Sequence, residues 1–273
     1  MEENERVKEW LSFCQRSFSK NTCIQYRCVI GQLLKHISAN GNEISTIAVE
    51  RFLDEKLQRG YSRKQFNCYL IAIRSFSAWK EKRYNIPSLV HKIPFISEDP
   101  PKQRCLTEEE YRLLLLNTKG MDRDIILFIG NTGIRKAEFA GLKYKDIPID
   151  LKYIKIIGKG RKQRIVPLND VSRAVLQNYP RLADGEYLQI SQRYPGGEGA
   201  SWMLRRIAKK IGIPRCGLHS LRHRFATRCI EKGMNIFKLS LILGHSSVLT
   251  TQGIYLHLTP QSLYGETDCL CGD

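Results

Sequence analysis

The run His219-Ser220-Leu221-Arg222-His223-Arg224-Phe225-Ala226-Thr227 decides how the rest of the chain is read. It leads into a helix expected near Leu221 to Lys232 and gathers two histidines and two arginines into six residues. His219 and His223 lie four apart, a spacing that suits zinc if both sit on one helix. Ser220, however, stands where the general-base Glu of an H-E-x-x-H site belongs, and only Cys216 offers a third ligand nearby. The other reading is phosphate recognition, because a planar guanidinium donates two parallel hydrogen bonds to an oxyanion.

Three more basic segments point the same way: Thr132-Gly133-Ile134-Arg135-Lys136-Ala137-Glu138, the Gly158-Lys159-Gly160-Arg161-Lys162 stretch, and Leu243-Gly244-His245-Ser246-Ser247. Tyr255 follows ten residues after His245. Each has a plain alternative. Arg135 reads equally as a solvated helix residue, residues 158–162 as a mere turn, Gly244 as a helix C-cap, and Tyr255 as one of twelve ordinary tyrosines. The combination is more telling. Cleaving a phosphodiester without a metal requires fixed cations around a pentavalent phosphorus, a nucleophile, and an acid for the leaving oxygen. Two arginines, a lysine, two histidines and a tyrosine supply that inventory. A metal-dependent nuclease would instead want clustered carboxylates, and the acids here are scattered through helix starts and faces.

Around these segments the chain has two textures. Residues 5 to about 85 read as four helices. The first carries Trp10, Leu11, Phe13 and Cys14 and stops at Ser17 to Asn21; the second runs from Thr22 to Ile37. Ser45 or Thr46 caps a third, and Ser62 to Tyr84 supplies a fourth with Phe66, Tyr69, Leu70, Ile73, Phe76 and Trp79 on its buried face. Pro87, Pro94, Pro100 and Pro101 then mark a linker. Beyond it, Thr107 followed by Glu108, Glu109 and Glu110 signals a helix start. Tyr153 to Ile157 and Gln163 to Leu168 read as a hairpin with a basic tip. Helices are expected near Val171 to Tyr179, Ser201 to Ile211 and Ile236 to Leu243. The fold class is therefore mainly α with a small β element: a helical bundle over 1–86, a linker over 87–104 and an α+β catalytic domain over 105–273.

The 273 residues carry a formal charge of +17, with +5 in residues 1–100 and +12 in the remainder. Such an excess favours a polyanion, since each neutralised phosphate releases condensed counterions. A membrane surface would call for a basic amphipathic helix or terminal basic cluster, and neither is present. No apolar run approaches the ~20 residues of a membrane span, and the polar MEENERVKEW start is unlike a signal peptide. A cytoplasmic, nucleoid-associated protein with nine reduced cysteines is expected. Cys269 and Cys271, a lone C-x-C, are a weak metal motif.

The basic segments taken together resemble the catalytic domain of the tyrosine recombinases, the phage-integrase and Xer group. Thr132 to Glu138 resembles the first arginine box, and Gly158-Lys159-Gly160 with Arg164-Ile165-Val166-Pro167-Leu168 is similar to the lysine hairpin. His219 to Thr227 resembles the H-x-x-R box, and Leu243 to Ser247 with Thr250-Thr251-Gln252 before Tyr255 resembles the C-terminal box. The step from His245 to Tyr255 is one residue longer than the usual Xer spacing, with Gly253 as the insertion. Ser19-Lys20-Asn21-Thr22 and Tyr26 are similar to the start of the family's core-binding domain.

The resemblance implies a site-specific recombinase acting through a covalent 3′-phosphotyrosine and a Holliday junction. Tyr255 would be the nucleophile, Arg135 and Arg222 the ligands of the non-bridging oxygens, and Lys159 the acid for the 5′ oxygen. His219 would act as base, His245 would donate to the phosphate, and Glu138 would orient Arg135 or His219. Double-stranded DNA gripped between two domains, a homotetramer on two sites, and no metal or cofactor are implied as well. A paralogous recombinase or accessory protein is a further possible partner. Without an extra N-terminal arm-binding domain, the chain resembles a minimal, Xer-like enzyme. Two rivals stay open: a type IB topoisomerase, and a catalytically silent DNA-binding protein of the same fold.

Overall fold

Three serines set where the first helices begin in the computed structural model, which describes residues 2–40, 44–88, 90–97, 105–158 and 163–244. The helices are α1 (Glu2–Ser17), α2 (Lys20–Ala39), α3 (Thr46–Gln58) and α4 (Arg63–Tyr84). The hydroxyls of Ser19, Ser45 and Ser62 accept from the amides of Thr22, Ala48 and Gln65, each at 3.2 Å. They satisfy first-turn donors that have no partner within their own helix. Because Ser19 is the cap, α2 starts at Lys20, two residues ahead of the expected Thr22.

These helices bury Trp10, Ile30, Leu33, Phe52, Leu53 and Leu70 in one core. Trp10 stacks on Tyr26 with ring centroids 5.6 Å apart and also meets Phe76 at 5.0 Å. Of the expected inner face of α4, Phe66, Leu70, Ile73 and Phe76 are buried, while Tyr69 and Trp79 are partly so. Tyr69 has a polar errand, since its hydroxyl donates to Gln32 Oε1 at 3.2 Å. Residues 90–97, within the stretch expected as linker, fold back on α4. Asn67 donates to Ile96 O at 2.8 Å and accepts from Ile96 N at 3.0 Å.

The chain divides into two compact units, Met1–Pro101 and Lys102–Asp273. The second comprises α5 (Glu108–Leu116), α6 (Gly120–Thr132), α7 (Lys136–Ala140), β1 (Tyr153–Ile157), β2 (Gln163–Pro167), α8 (Asp170–Gln177), α9 (Gln189–Gln192), α10 (Glu198–Lys210), α11 (Leu218–Glu231) and α12 (Ile236–Leu243). Thr107 and Glu110 form the reciprocal capping box that starts α5, at 3.2 and 3.0 Å. Helix α6 is the longest of the helices, with α7 and α9, that the sequence does not announce. Its Ile125, Ile126, Phe128 and Ile129 are all fully buried, whereas Arg123 is exposed and Asp122, Asp124 and Asn131 are half-buried. Burying four such side chains contributes roughly 6–12 kcal/mol.

Strands β1 and β2 pair antiparallel, from Tyr153 opposite Pro167 to Ile157 opposite Gln163, which is the expected hairpin. Helix α11 begins at Leu218, three residues before the expected start. Gly217 N–H donates to Ser220 Oγ at 3.2 Å, a side-chain cap that draws the first turn back to include His219. Among the described residues no helix is long and apolar enough to cross a membrane.

Candidate active site

Two glycines position the first arginine and the end of α12. Gly133 closes α6 with φ 61°, the left-handed conformation that suits glycine. A Cβ there would stand 2.4 Å from Phe225 Cδ1, so α11 packs directly onto the turn. The chain then reverses through buried Ile134 and enters α7, with Arg135 at its N-cap. Gly244 closes α12 in the same way, with φ 65°, and the space a Cβ would need is filled by Arg164 Cδ and Nε at 2.8 and 2.9 Å.

Arginines from three separate segments converge on the end of α12. Arg164 Nε donates to Ile242 O at 2.7 Å. Arg222 Nη2 donates to Leu243 O at 2.8 Å, and Arg135 Nη2 donates to Gly244 O at 2.7 Å. These carbonyls form the partially negative end of a helix whose last four C=O groups lack partners within it, so cations are favoured there. Arg222 is buried, and its Nη1 donates to Gly133 O at 2.6 Å. One side chain thereby ties the α6 turn, α11 and α12 together.

Glu138 joins the arginines to one another. Its Oε2 accepts from Arg135 N at 2.7 Å and from Arg164 Nη2 at 2.7 Å; its Oε1 accepts from Arg135 Nη1 at 2.9 Å and Arg164 Nη1 at 2.8 Å. Burial alone would raise the carboxyl pKa, but the bonds from Arg164 and Arg135 outweigh it and hold the pKa at about 2. Of the two expected partners of Glu138, Arg135 is therefore the one it contacts.

His219 lies in the first turn of α11, on the wall of a cavity of about 710 Å³ that also presents Lys136, Arg205, Lys209 and Arg215. Burial lowers its pKa first, followed by the positive fields of Arg222, Lys136 and Arg135. The lowering keeps the imidazole in its neutral form, the form that can accept a proton, at neutral pH. His223, one turn further along α11, is lowered by burial and then by His219 and Arg222. Among the described residues no three His, Cys, Asp or Glu side chains gather as a metal-ligand set.

Arg135, Glu138, His219 and Arg222 are thus described at the site. Lys159, His245 and Tyr255, together with Tyr264, Cys269 and Cys271, lie outside the described residues. The sequence reading assigned no role to Arg164, although an arginine interrupting an apolar strand is a signal that was there to be read. It also passed over Arg224, which is buried, pairs with Glu108 at 3.0 and 2.9 Å, and covers the Tyr111 ring at 3.5 Å. That contact joins α11 to the start of α5.

Profile comparison matches residues 104–262 to the Phage integrase family. Residues 7–84 match the phage integrase N-terminal SAM-like domain. The chain belongs to the phage integrase family. It is 31% identical over 272 residues to tyrosine recombinase XerA of Thermococcus onnurineus, covering 95% of this chain and 93% of that one. It is 28% identical over 285 residues to tyrosine recombinase XerD of Halalkalibacterium halodurans, covering 94% of each. A crystal structure of a lambda integrase(75-356) dimer bound to a COC′ core site matches with a TM-score of 0.75 at 18% identity, over 90% of this chain and 96% of that one, and shows the shared fold. The expected class, an enzyme of site-specific recombination in the tyrosine recombinase group, is borne out. Neither the topoisomerase nor the catalytically silent reading is favoured.

Proposed function

We propose that the chain breaks and rejoins double-stranded DNA, with Tyr255 attacking the scissile phosphorus. The new P–O bond to tyrosine forms as the P–O5′ bond breaks, leaving the 3′ end on the protein and a free 5′ hydroxyl. Arg135 and Arg222 neutralise the non-bridging oxygens, and His245 donates a further hydrogen bond. Lys159 gives its proton to the departing 5′ oxygen while His219 accepts the phenolic proton. Attack by a 5′ hydroxyl from a second duplex reverses the step, so the bond energy is conserved without an external energy source.

Residues 1–86 serve in this reading as the helical core-binding domain, 87–104 as the linker and 105–273 as the catalytic domain. Four copies act on two sites through a Holliday junction, in the nucleoid of the cytoplasm, alone or with a paralogue or accessory protein. The observation that carries the proposal is the meeting of Arg135 and Arg222 at Leu243 and Gly244, since the carbonyls they hold directly precede His245 in the chain. The test is Tyr255→Phe on a nicked suicide substrate. Covalent adducts should vanish while DNA affinity stays near that of wild type. Adducts at normal yield would move the nucleophile to another residue.

A further inference from the structure

Arg164 has no part in the chemistry just described, yet its guanidinium is bonded at three points. It grips both oxygens of Glu138 and holds Ile242 O with Nε. Its side chain and that of Glu138 are only 11% and 10% exposed, whereas Arg135 is 36% exposed. The arrangement has a direction. Arg135 faces outward and is held from behind by Glu138, and Glu138 is in turn held by Arg164. Gly244 reports how tightly this is packed, because its missing Cβ is what leaves room for the Arg164 side chain. Arg164 also lies on β2, one residue beyond the start of the strand that follows the basic hairpin tip. Lysine cannot substitute here, since a single ammonium does not span two carboxylate oxygens and a carbonyl in one plane.

We propose that Arg164 is a positioning residue that sets the Arg135 guanidinium against the scissile phosphate through the Glu138 carboxylate the two arginines share. The proposal rests on the reading of Arg135 as a phosphate ligand. When Arg164 is lost, Glu138 keeps its charge and its bonds to Arg135 but loses one side of its grip, so the Glu138–Arg135 pair shifts together about the remaining anchor at Gly244 O. A displacement on the order of 1 Å at a reacting centre costs about 100-fold in rate.

The experiment compares full-length wild type, Arg164→Gln, Arg164→Lys and Arg135→Ala on nicked substrates. One substrate carries an ordinary scissile phosphate and the other a neutral methylphosphonate, which has one non-bridging charge fewer to neutralise. Circular dichroism corrects each rate for the folded fraction. On the phosphate, both Arg164 variants should cleave about 100-fold more slowly than wild type, and the Arg164→Gln, Arg135→Ala double variant should be no slower than Arg135→Ala alone. On the methylphosphonate, Arg164→Gln and wild type should cleave at closely similar rates. A merely structural role predicts the same loss on both substrates, and that result, or additive losses in the double variant, overturns the proposal. Wild-type speed in Arg164→Gln overturns it too while leaving the function intact. Absence of wild-type adducts on the phosphate would instead overturn the function, and this proposal with it.

Discussion

Replacing Glu138 by Gln keeps the shape of the side chain and removes its charge, which isolates what four charge-assisted contacts contribute. The carboxyl pKa falls from 4.5 to about 2 on folding. At 1.36 kcal/mol per unit, that difference amounts to about 3 kcal/mol of stability at neutral pH. The carboxylate is 10% exposed, so solvent screening removes little of it. The sign follows from the direction of the shift. A depressed carboxyl contributes fully above its unfolded value and loses that contribution as pH falls through the folded one, here between about 4.5 and 2. For a unit of this size, Glu138→Gln should lower the melting temperature by roughly 6–12 °C at pH 7. The gap between the two proteins should narrow as pH falls below 4.5, because the unfolded wild-type carboxyl then takes up a proton while the folded one stays ionised down to about 2. Urea unfolding of both proteins from pH 7 to pH 3 measures it. Their difference cancels the other carboxylates, which titrate alike in each. A gap below about 1 kcal/mol at pH 7, the worth of an exposed ion pair, or a gap that does not change with pH, would refute the reasoning.

Two further predictions concern the same region. Gly133→Ala places a Cβ in the left-handed conformation and against the Phe225 ring, so it should destabilise by roughly 2–4 kcal/mol; a loss under about 1 kcal/mol in denaturant unfolding would show that the turn relaxes. The His219 ring, followed by NMR in DNA-free protein, should titrate below the ordinary histidine value of about 6.5. It should therefore remain neutral, and able to accept a proton, down to more acidic pH than an exposed histidine; a midpoint at or above 6.5 contradicts the effect of burial and its three cationic neighbours.

Local signals in the chain were enough for much of this protein. Ser45, Ser62 and Thr107 announced helix starts because a capping hydroxyl acts within three residues. The hairpin was legible for the same reason, since two β-prone runs around a glycine-containing tip have a single nearby partner. Where local signals fail, the cause is also physical. Helix α6 starts without a side-chain cap, and its buried face is covered by α8 and α11, elements remote in sequence. Family resemblance named Arg135, Glu138, His219 and Arg222, but spacing was silent on which side chains touch. Only tertiary packing brought Arg135 to Gly244 across 109 positions, Arg222 to Gly133 across 89, and Arg164 to Ile242 across 78. Such contacts depend on helix ends meeting at angles set by the whole core. A carboxylate with two arginines to choose from, and helix carbonyls with three, is partnered by geometry rather than by residue type.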